Sequence, residues 1–375
     1  MVMNWDYIKK YMNSDQLFSE FAASMPAEAV VPAKTSPEWH CCVTVGQWCV
    51  ELQDGTSLAR LLDTARQAAI NDTEIALYAK MKHFLQRKTG NDGTIKQKIA
   101  LVLSGGGAKG AYQIGVWEAL EQLGLCQYVE GIAGTSIGAV NAMLFARGEY
   151  LYAKELWLKL SETLTRAENR KQLDALYKRG PAALGDIVLK DRFLSQAELK
   201  RELSRAVSNG YGDRIKKNYH IYTAAVAKET WERGQPEVTY MPWNVLSNAE
   251  IVQAVLASSA LPLVYSPVEF KGNCYYDGGL KDNAPVLPLY QCGYRRFIVI
   301  HLQRESAKVR SVRSKLAKYG GCRAVHIVPG KSFEDNAMAM LKLTPEATLE
   351  RMQMGRNDTL ALRSDLMSLI YNDAQ

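Results

Sequence analysis

The chain has 375 residues, 47% of them hydrophobic, and a formal net charge of +7. This length predicts one sizeable domain with an appendage, because single cores rarely grow past about 250 to 300 residues. No stretch approaches the roughly 18 consecutive apolar residues that a membrane span needs, which argues against an integral membrane protein. The positive charge is not interleaved with aromatic residues, so nucleic-acid binding is not expected.

The cysteines and the first residues of the chain indicate the cellular compartment of the protein. None of the seven cysteines forms a C-x-x-C pair, so neither a disulfide framework nor a zinc site is predicted. The residues after Met1 lack the basic segment and apolar run of a secretory signal. We therefore expect a cytoplasmic protein. No cluster of His, Asp and Glu indicates a metal, and no cofactor is expected.

Residues 1–95 form a mainly helical N-terminal extension in this interpretation. Apolar residues recur at helical spacing in residues 1–25 and again after Ser57, and Thr89–Thr94 is a polar joint that contains glycine. We place the domain boundary there, with residues 96–375 as the main domain. The extension either packs on that domain or contacts a regulatory small molecule, a protein partner or a membrane.

The main domain begins with an apolar strand, Ile99–Leu103, that runs into a glycine loop and then a helix from Ala111. The loop contains Gly105-Gly106-Gly107-Ala108-Lys109-Gly110. It fits a dinucleotide-binding G-x-G-x-x-G only weakly, and it lacks the Lys-Ser or Lys-Thr of a phosphate-binding P-loop. A tight turn and an oxyanion hole built from backbone N–H groups are the remaining interpretations. Lys109 either supports the positive potential of the loop or is an ordinary solvated lysine.

The next strand ends in a G-x-S-x-G pattern, with Gly134, Ser136 and Gly138. Flanking glycines are needed where a serine occupies a sharp turn from a strand to a helix, because side chains two residues away would clash. The apolar helix from Ile137 to Phe145 gives the pattern that context. Residues 150–218 then predict several amphipathic helices, which are either lid-like elements or a layer that covers the sheet.

A third motif follows another strand, His220–Ala227, and a helix with a capping box at Ser247 and Glu250. Two short strands on either side of Gly272 predict a hairpin that presents Asp277-Gly278-Gly279.

With this third motif, residues 97–360 resemble the patatin-like phospholipases. The family's marks are a G-G-G-x-[KR]-G loop, a G-x-S-x-G serine and a D-G-[GA] aspartate, in that order. The block Ala257–Pro262 is also similar. The resemblance implies an α/β fold of three layers, in which helices cover a mostly parallel central sheet. It implies hydrolysis of acyl esters of phospholipids or lysophospholipids through an acyl-enzyme.

The resemblance also implies a role for each motif. Ser136 is the nucleophile, Asp277 acts directly as its base, and Gly105, Gly106 and Gly107 form the oxyanion hole. The supporting motif residues are Lys109, Gly110, Gly134, Gly138, Gly278 and Gly279. The alternatives are an acyltransferase with the same dyad and a lipid- or nucleotide-responsive binding protein. A Ser-Asp-His triad also stays open by chain order, because His301 and His326 follow Asp277.

Residues 304–323 contain seven Lys or Arg against one acidic residue, Glu305. Such a segment either contacts the surface of an anionic membrane or is a solvated basic loop. Peripheral membrane association is therefore a prediction of the sequence.

Overall fold

A computed structural model describes residues 98–165, 196–262, 265–334, 338–340 and 342–370 of the chain. Residues 1–97 lie outside this part, and so do the predicted N-terminal helices and the joint at Thr89–Thr94. The chain divides into two compact units, and the larger comprises Lys98–Ala119 and Val129–Leu369. The strands and the candidate site described below belong to this larger unit.

In the part of the chain that the structure describes, eight strands form one central sheet. Its strands are β1 (Ile99–Leu103), β2 (Val129–Thr135), β3 (His220–Ala227), β4 (Val238–Pro242), β5 (Val268–Phe270), β6 (Asn273–Asp277), β7 (Arg296–Ile300) and β8 (Arg323–Ile327). Each strand pairs with the next along the path β5-β6-β3-β2-β1-β7-β8, and β4 also pairs with β3. Neighbouring strands from β3 to β8 in this order run parallel, whereas β4 and β6 run antiparallel to β3.

Helices connect and cover the strands. Their bounds are α1 (Ala111–Gln122), α2 (Ile137–Arg147), α3 (Tyr150–Thr165), α4 (Gln196–Ala206), α5 (Tyr211–Asn218), α6 (Lys228–Glu232), α7 (Asn248–Ser258), α8 (Leu287–Gln291), α9 (Ala307–Lys318), α10 (Pro345–Ala361) and α11 (Arg363–Ser368). Within the described ranges, no helix is both long and apolar enough to cross a bilayer.

Both faces of the central strands are buried. Val102 and Val299 share one face with Leu289 of α8 and Leu316 of α9, in one apolar cluster. Leu101 and other residues of opposite parity in the same strands are also fully buried. Side chains alternate between the two faces of a strand, so apolar layers cover the sheet on both sides. The predicted mostly parallel sheet covered by helices is confirmed.

Strand β3 brings the ends of β2 and β6 together. Ala224 pairs with Thr135, the last residue of β2, and Ala225 pairs with Asp277, the last residue of β6. A strand has only two edges, and β4 occupies one of them along both alanines. Strands β2 and β6 must therefore share the other edge and meet end to end. This arrangement delivers Ser136 and Asp277 to the same place.

Two local features differ from the sequence expectations. The basic residues 304–323 are not a loop, because most of them form α9, which begins at the N-cap Ser306. Strand β4 was not predicted. Residues 150–218 do contain amphipathic helices (α3, α4 and α5), and the described part of that segment adds no strand to the sheet.

Candidate active site

The candidate nucleophile occupies a strained turn between β2 and α2. Ser136 has φ 57° and ψ −127°, a conformation that residues with a side chain rarely adopt. A side chain at Gly134 would collide with the carbonyl of Gly138, and one at Gly138 would collide with the carbonyl of Leu103. Both glycines are therefore needed for close backbone approach, as the G-x-S-x-G pattern predicts. Ser136 lies at the N-terminus of α2, where the helix dipole favours negative charge.

The candidate base is buried and lies beside the nucleophile. Asp277 is only 3% exposed, and its carboxylate accepts the N–H of Gly279 at 2.7 Å. Burial raises the pKa of Asp277 to about 6, while the nearby Ser136 side chain and the Gly279 N–H act in the opposite direction. The carboxyl group thus changes its charge close to physiological pH.

The glycine loop wraps around the same point, but its three N–H groups are not equivalent. The N–H of Gly105 donates to Asn283, to the side-chain Oδ1 at 3.2 Å and to the backbone carbonyl at 3.3 Å. Within the described residues, no acceptor is recorded for the N–H groups of Gly106 and Gly107. Gly107 has φ +58°, which a glycine adopts without cost. The available donors of the predicted oxyanion hole are therefore Gly106 and Gly107, and Gly105 has a structural partner.

Lys109 is not a solvated lysine. Its side chain is 5% exposed, and its ammonium group lies 5.9 Å from the centre of the Phe333 ring. The adjacent Gly110 has no room for a side chain, because Ile137 and the Trp157 ring occupy that space. Of the two sequence interpretations, support of the loop from inside the protein is the one that the burial favours.

The aspartate turn is equally tight. Gly278 lies against the carbonyl of Ala224, and Gly279 lies against the Asn283 side chain. Asn283 also donates from Nδ2 to the carbonyl of Gly105 at 3.3 Å. The residues after Asp277 thus fix the glycine loop as well as the carboxylate.

Sequence reasoning missed three polar residues that hold this site together. They are Asn283, Ser258 at the end of α7, and Arg351 of α10, which is 4% exposed and donates to the carbonyls of Ala108, Ala339 and Lys342. The sequence could have indicated Ser258, because this residue lies in the block Ala257–Pro262 that resembles the family. Arg351 lies 243 positions after Ala108, and no local pattern links the two.

The two histidines of the alternative triad form a pair of their own. His301 Nε2 lies 2.9 Å from His326 Nδ1, and the rings are stacked. Strand β7, which His301 follows, is separated from β2 by β1, about 10 Å across the sheet. Asp277 ends β6, which meets β2 end to end along β3. The structure brings Ser136 and Asp277 together without either histidine.

The assembled groups are those that acyl transfer requires. They are a hydroxyl beside a buried carboxylate, two N–H donors on an adjacent loop, and the N-terminus of a helix. Among the described residues, no group of three His, Cys, Asp or Glu side chains could hold a metal ion. The arrangement is typical of serine hydrolases that form an acyl-enzyme.

Comparison with known proteins identifies the family. The model of the patatin-like phospholipase family matches residues 101–290, a range that contains all three motifs. The chain therefore belongs to the patatin-like phospholipase family.

Two similar proteins have names that refer to lipid hydrolysis. The chain is 31% identical over 207 residues to the lysophospholipase NTE1 of Cryptococcus neoformans var. neoformans serotype D, a match that covers 54% of this chain and 11% of that protein. It is 25% identical over 218 residues to the probable lipid hydrolase 463L of Invertebrate iridescent virus 6, which covers 55% of this chain and 70% of that protein. The chain thus spans about a tenth of the length of its NTE1 relatives.

Among solved structures, the human GIVD cytosolic phospholipase A2 is similar with a TM-score of 0.44 and 12% identity, over 80% of this chain and 63% of that one. VipD from Legionella pneumophila gives a TM-score of 0.41 and 16% identity, over 72% of this chain and 67% of that one.

Proposed function

We propose that this protein is a serine lipid acyl hydrolase that cleaves fatty-acyl esters of phospholipids or lysophospholipids. The observation that carries the proposal is the end-to-end meeting of β2 and β6, which places Ser136 beside the buried Asp277 carboxylate and the glycine loop. Membership of the patatin-like phospholipase family and the names of the relatives support a lipid ester as the substrate.

In the proposed first step, the Ser136 oxygen attacks the ester carbonyl and its proton passes to Asp277. The carbonyl oxygen becomes negatively charged and is stabilised by the N–H groups of Gly106 and Gly107, with that of Ile137 at the start of α2 as a further donor. The proton then moves from Asp277 to the departing alcohol oxygen as the carbon–oxygen bond breaks. The products of this step are the free lyso-lipid or glycerol derivative and an acyl ester on Ser136.

In the second step a water molecule attacks the acyl-enzyme. Asp277 accepts its proton and returns a proton to the Ser136 oxygen, so that a fatty acid leaves and the starting state is restored. A pKa of about 6 suits both halves of this cycle, because the carboxylate is ionised at neutral pH and still basic enough to accept a proton.

The test is release of fatty acid from vesicles that contain mixed phospholipids and lysophospholipids. Wild-type protein is expected to release fatty acid, and Ser136→Ala is expected to release none. Ser161→Ala is a matched control, because Ser161 is fully buried in α3, outside the three motifs. Equal release by wild type and Ser136→Ala would reject the proposal.

We further propose that the basic face of α9 contacts anionic membrane surfaces. This face consists of the exposed residues Lys308, Arg310 and Lys318. Arg313 and Lys315 are less suited to such contact, since they lie 3.3 Å and 3.6 Å from the carboxylates of Glu305 and Asp282, respectively. Each basic residue near an anionic bilayer contributes about 1 kcal/mol to binding.

Charge reversal tests this surface. Lys308→Glu, Arg310→Glu and Lys318→Glu together are expected to weaken binding to anionic vesicles at low salt and to spare hydrolysis of a soluble ester. The control reverses Lys200, Arg201 and Lys217, which are exposed on α4 and α5. If both triple variants bind alike, the membrane surface is not on α9.

We also propose that residues 1–95 are a regulatory extension. Residues 96–375 are then the catalytic domain, and the protein acts in the cytoplasm. All three motifs lie beyond Ile99, which supports this division. A chain that begins near Lys96 is expected to hydrolyse a short soluble ester. A folded chain of this kind without esterase activity would mean that the extension contributes to the site.

A further inference from the structure

We propose that Ser258, the last residue of α7, is a positioning residue that holds the nucleophile turn in its reactive conformation. This inference rests on the proposed function, because it names the group that aligns Ser136 with Asp277. It also rests on hydrogen bonds that are independent of any substrate.

The Ser258 hydroxyl connects the nucleophile turn to β3. Its Oγ accepts the backbone N–H of Ser136 at 2.9 Å and donates to the carbonyl of Ala224 at 2.6 Å. The residue is fully buried, so water cannot replace either bond. A hydroxyl can donate only one hydrogen bond, and here it donates to the carbonyl of Ala224. The lone pairs of the oxygen are thereby left for Ser136.

The backbone of Ser136 needs such a partner. A residue with φ 57° is held only by its surroundings, and an unpaired N–H in this partly buried turn would be costly. Ser258 supplies the acceptor from another element, 122 positions along the chain. Without it, nothing in the described structure accepts this N–H, and the serine oxygen loses a fixed position relative to the carboxylate.

The same turn of chain also holds the base. Two residues after Ser258, the carbonyl of Ala260 accepts the N–H of Asp277 at 2.9 Å. The end of α7 therefore contacts the backbone N–H of both members of the candidate dyad. Movement of this turn changes the distance between nucleophile and base, although neither Ser258 nor Ala260 has a role in the chemistry itself.

Three variants separate positioning from stability. Ser258→Ala removes the shared hydroxyl. Ser259→Ala is the matched control, because the neighbouring hydroxyl is also buried and has no hydrogen-bond partner. Leu256→Ala removes a buried side chain two positions before Ser258, about 200° around the helix, which lowers stability. The measurements are thermal unfolding, kcat and KM for a soluble ester, and the rate at which a fluorophosphonate labels Ser136.

Ser258→Ala is expected to label about ten- to a hundredfold more slowly than wild type, with a similar fall in kcat and little change in KM. Ser259→Ala should behave as wild type, and Leu256→Ala should unfold at lower temperature and label normally. Wild-type rates in Ser258→Ala would overturn the inference. So would an equal loss in Leu256→Ala, because the effect would then follow stability.

Hydrogen exchange at the Ser136 amide provides a readout that does not depend on activity. The amide is expected to exchange faster in Ser258→Ala than in Ser259→Ala. If wild type neither hydrolyses esters nor reacts with the fluorophosphonate, the proposed function fails. Even then, faster exchange in Ser258→Ala would support the positioning role, and unchanged exchange would overturn it.

Discussion

Two pairs of polar side chains lie in or just after strands of the same sheet, and they differ in chemistry. In each pair one member is buried and the other is partly buried. Ser136 and Asp277 join a proton donor to an acid whose pKa is raised to about 6 by burial. His301 and His326 join two bases whose pKa values are lowered to about 3 and 4, mainly by burial. Desolvation favours the neutral form in both pairs, so the acid is poised near neutral pH and the histidines remain uncharged.

The two pairs also differ in what surrounds them. The glycine loop and the N-terminus of α2 lie beside Ser136, where an oxyanion would form. The histidine pair instead lies beyond β1, with His301 2% exposed and bonded to its partner. We therefore expect the first pair to determine activity and the second to affect only stability.

The largest expected effect separates the pairs by mutation. Asp277→Asn should lower hydrolysis of a soluble ester by about a thousandfold or more, because a general base contributes roughly 10² to 10⁴ and the amide cannot accept the proton. His301→Ala and His326→Ala should each keep more than about a tenth of wild-type turnover, a loss below about 1.4 kcal/mol. A folded histidine variant as inactive as Asp277→Asn would restore the triad.

The pH profile sharpens the same distinction. With a pKa of about 6, only about 1% of Asp277 is ionised at pH 4. We expect kcat/KM to rise about a hundredfold between pH 4 and pH 8 and to level off above pH 7. His326→Gln should leave this profile unchanged. If the pH dependence of kcat/KM shifts in His326→Gln, the histidines supply the titrating group.

Replacement of Asp277 should raise the stability of the fold although it lowers the activity. A carboxyl group with a folded pKa above its ordinary value stabilises the fold at low pH, and this stability is lost as the pH rises through about 6. Asn carries no charge, so Asp277→Asn should gain up to about 3 kcal/mol at pH 8, or roughly 5 °C in Tm. At pH 4 the gain should largely disappear. Equal Tm values at pH 8 would mean that the carboxylate is not penalised by burial.

The smallest effect concerns the histidines. A histidine with a lowered folded pKa contributes stability above its ordinary pKa of about 6.5 and loses it as the pH falls towards about 4. His326→Gln should therefore lose less stability than wild type between pH 7 and pH 4.5, as measured by chemical denaturation. An identical slope of stability against pH in both proteins would contradict this assignment.

The sequence predicted the parts of the site that lie in local glycine patterns. Gly134 and Gly138 are needed because the backbone approaches itself too closely there for a side chain, so the turn at Ser136 could be predicted from the local sequence. Which N–H groups of the glycine loop remain available was not predictable, because the partner of Gly105 is Asn283, 178 positions away. The same holds for Ser258, whose two bonds join α7 to distant strands.

The fold was predicted best where strands are buried on both faces, and less well at the edges. Strand β4 was missed because its residues are mostly half-buried and its pairing with β3 comes from tertiary context. Helix α9 was not predicted, because Lys and Arg dominate its sequence. Its apolar residues Val309, Val312 and Leu316 nevertheless recur at helical spacing.

The central claim is that Ser136 and Asp277 form the reactive pair, and labelling with a fluorophosphonate followed by mass spectrometry of peptides tests it most directly. The account predicts one adduct, on Ser136, that forms at wild-type rate in His301→Ala and His326→Ala and is nearly absent in Asp277→Asn. An adduct on another residue, or labelling of Asp277→Asn at the wild-type rate, would contradict it.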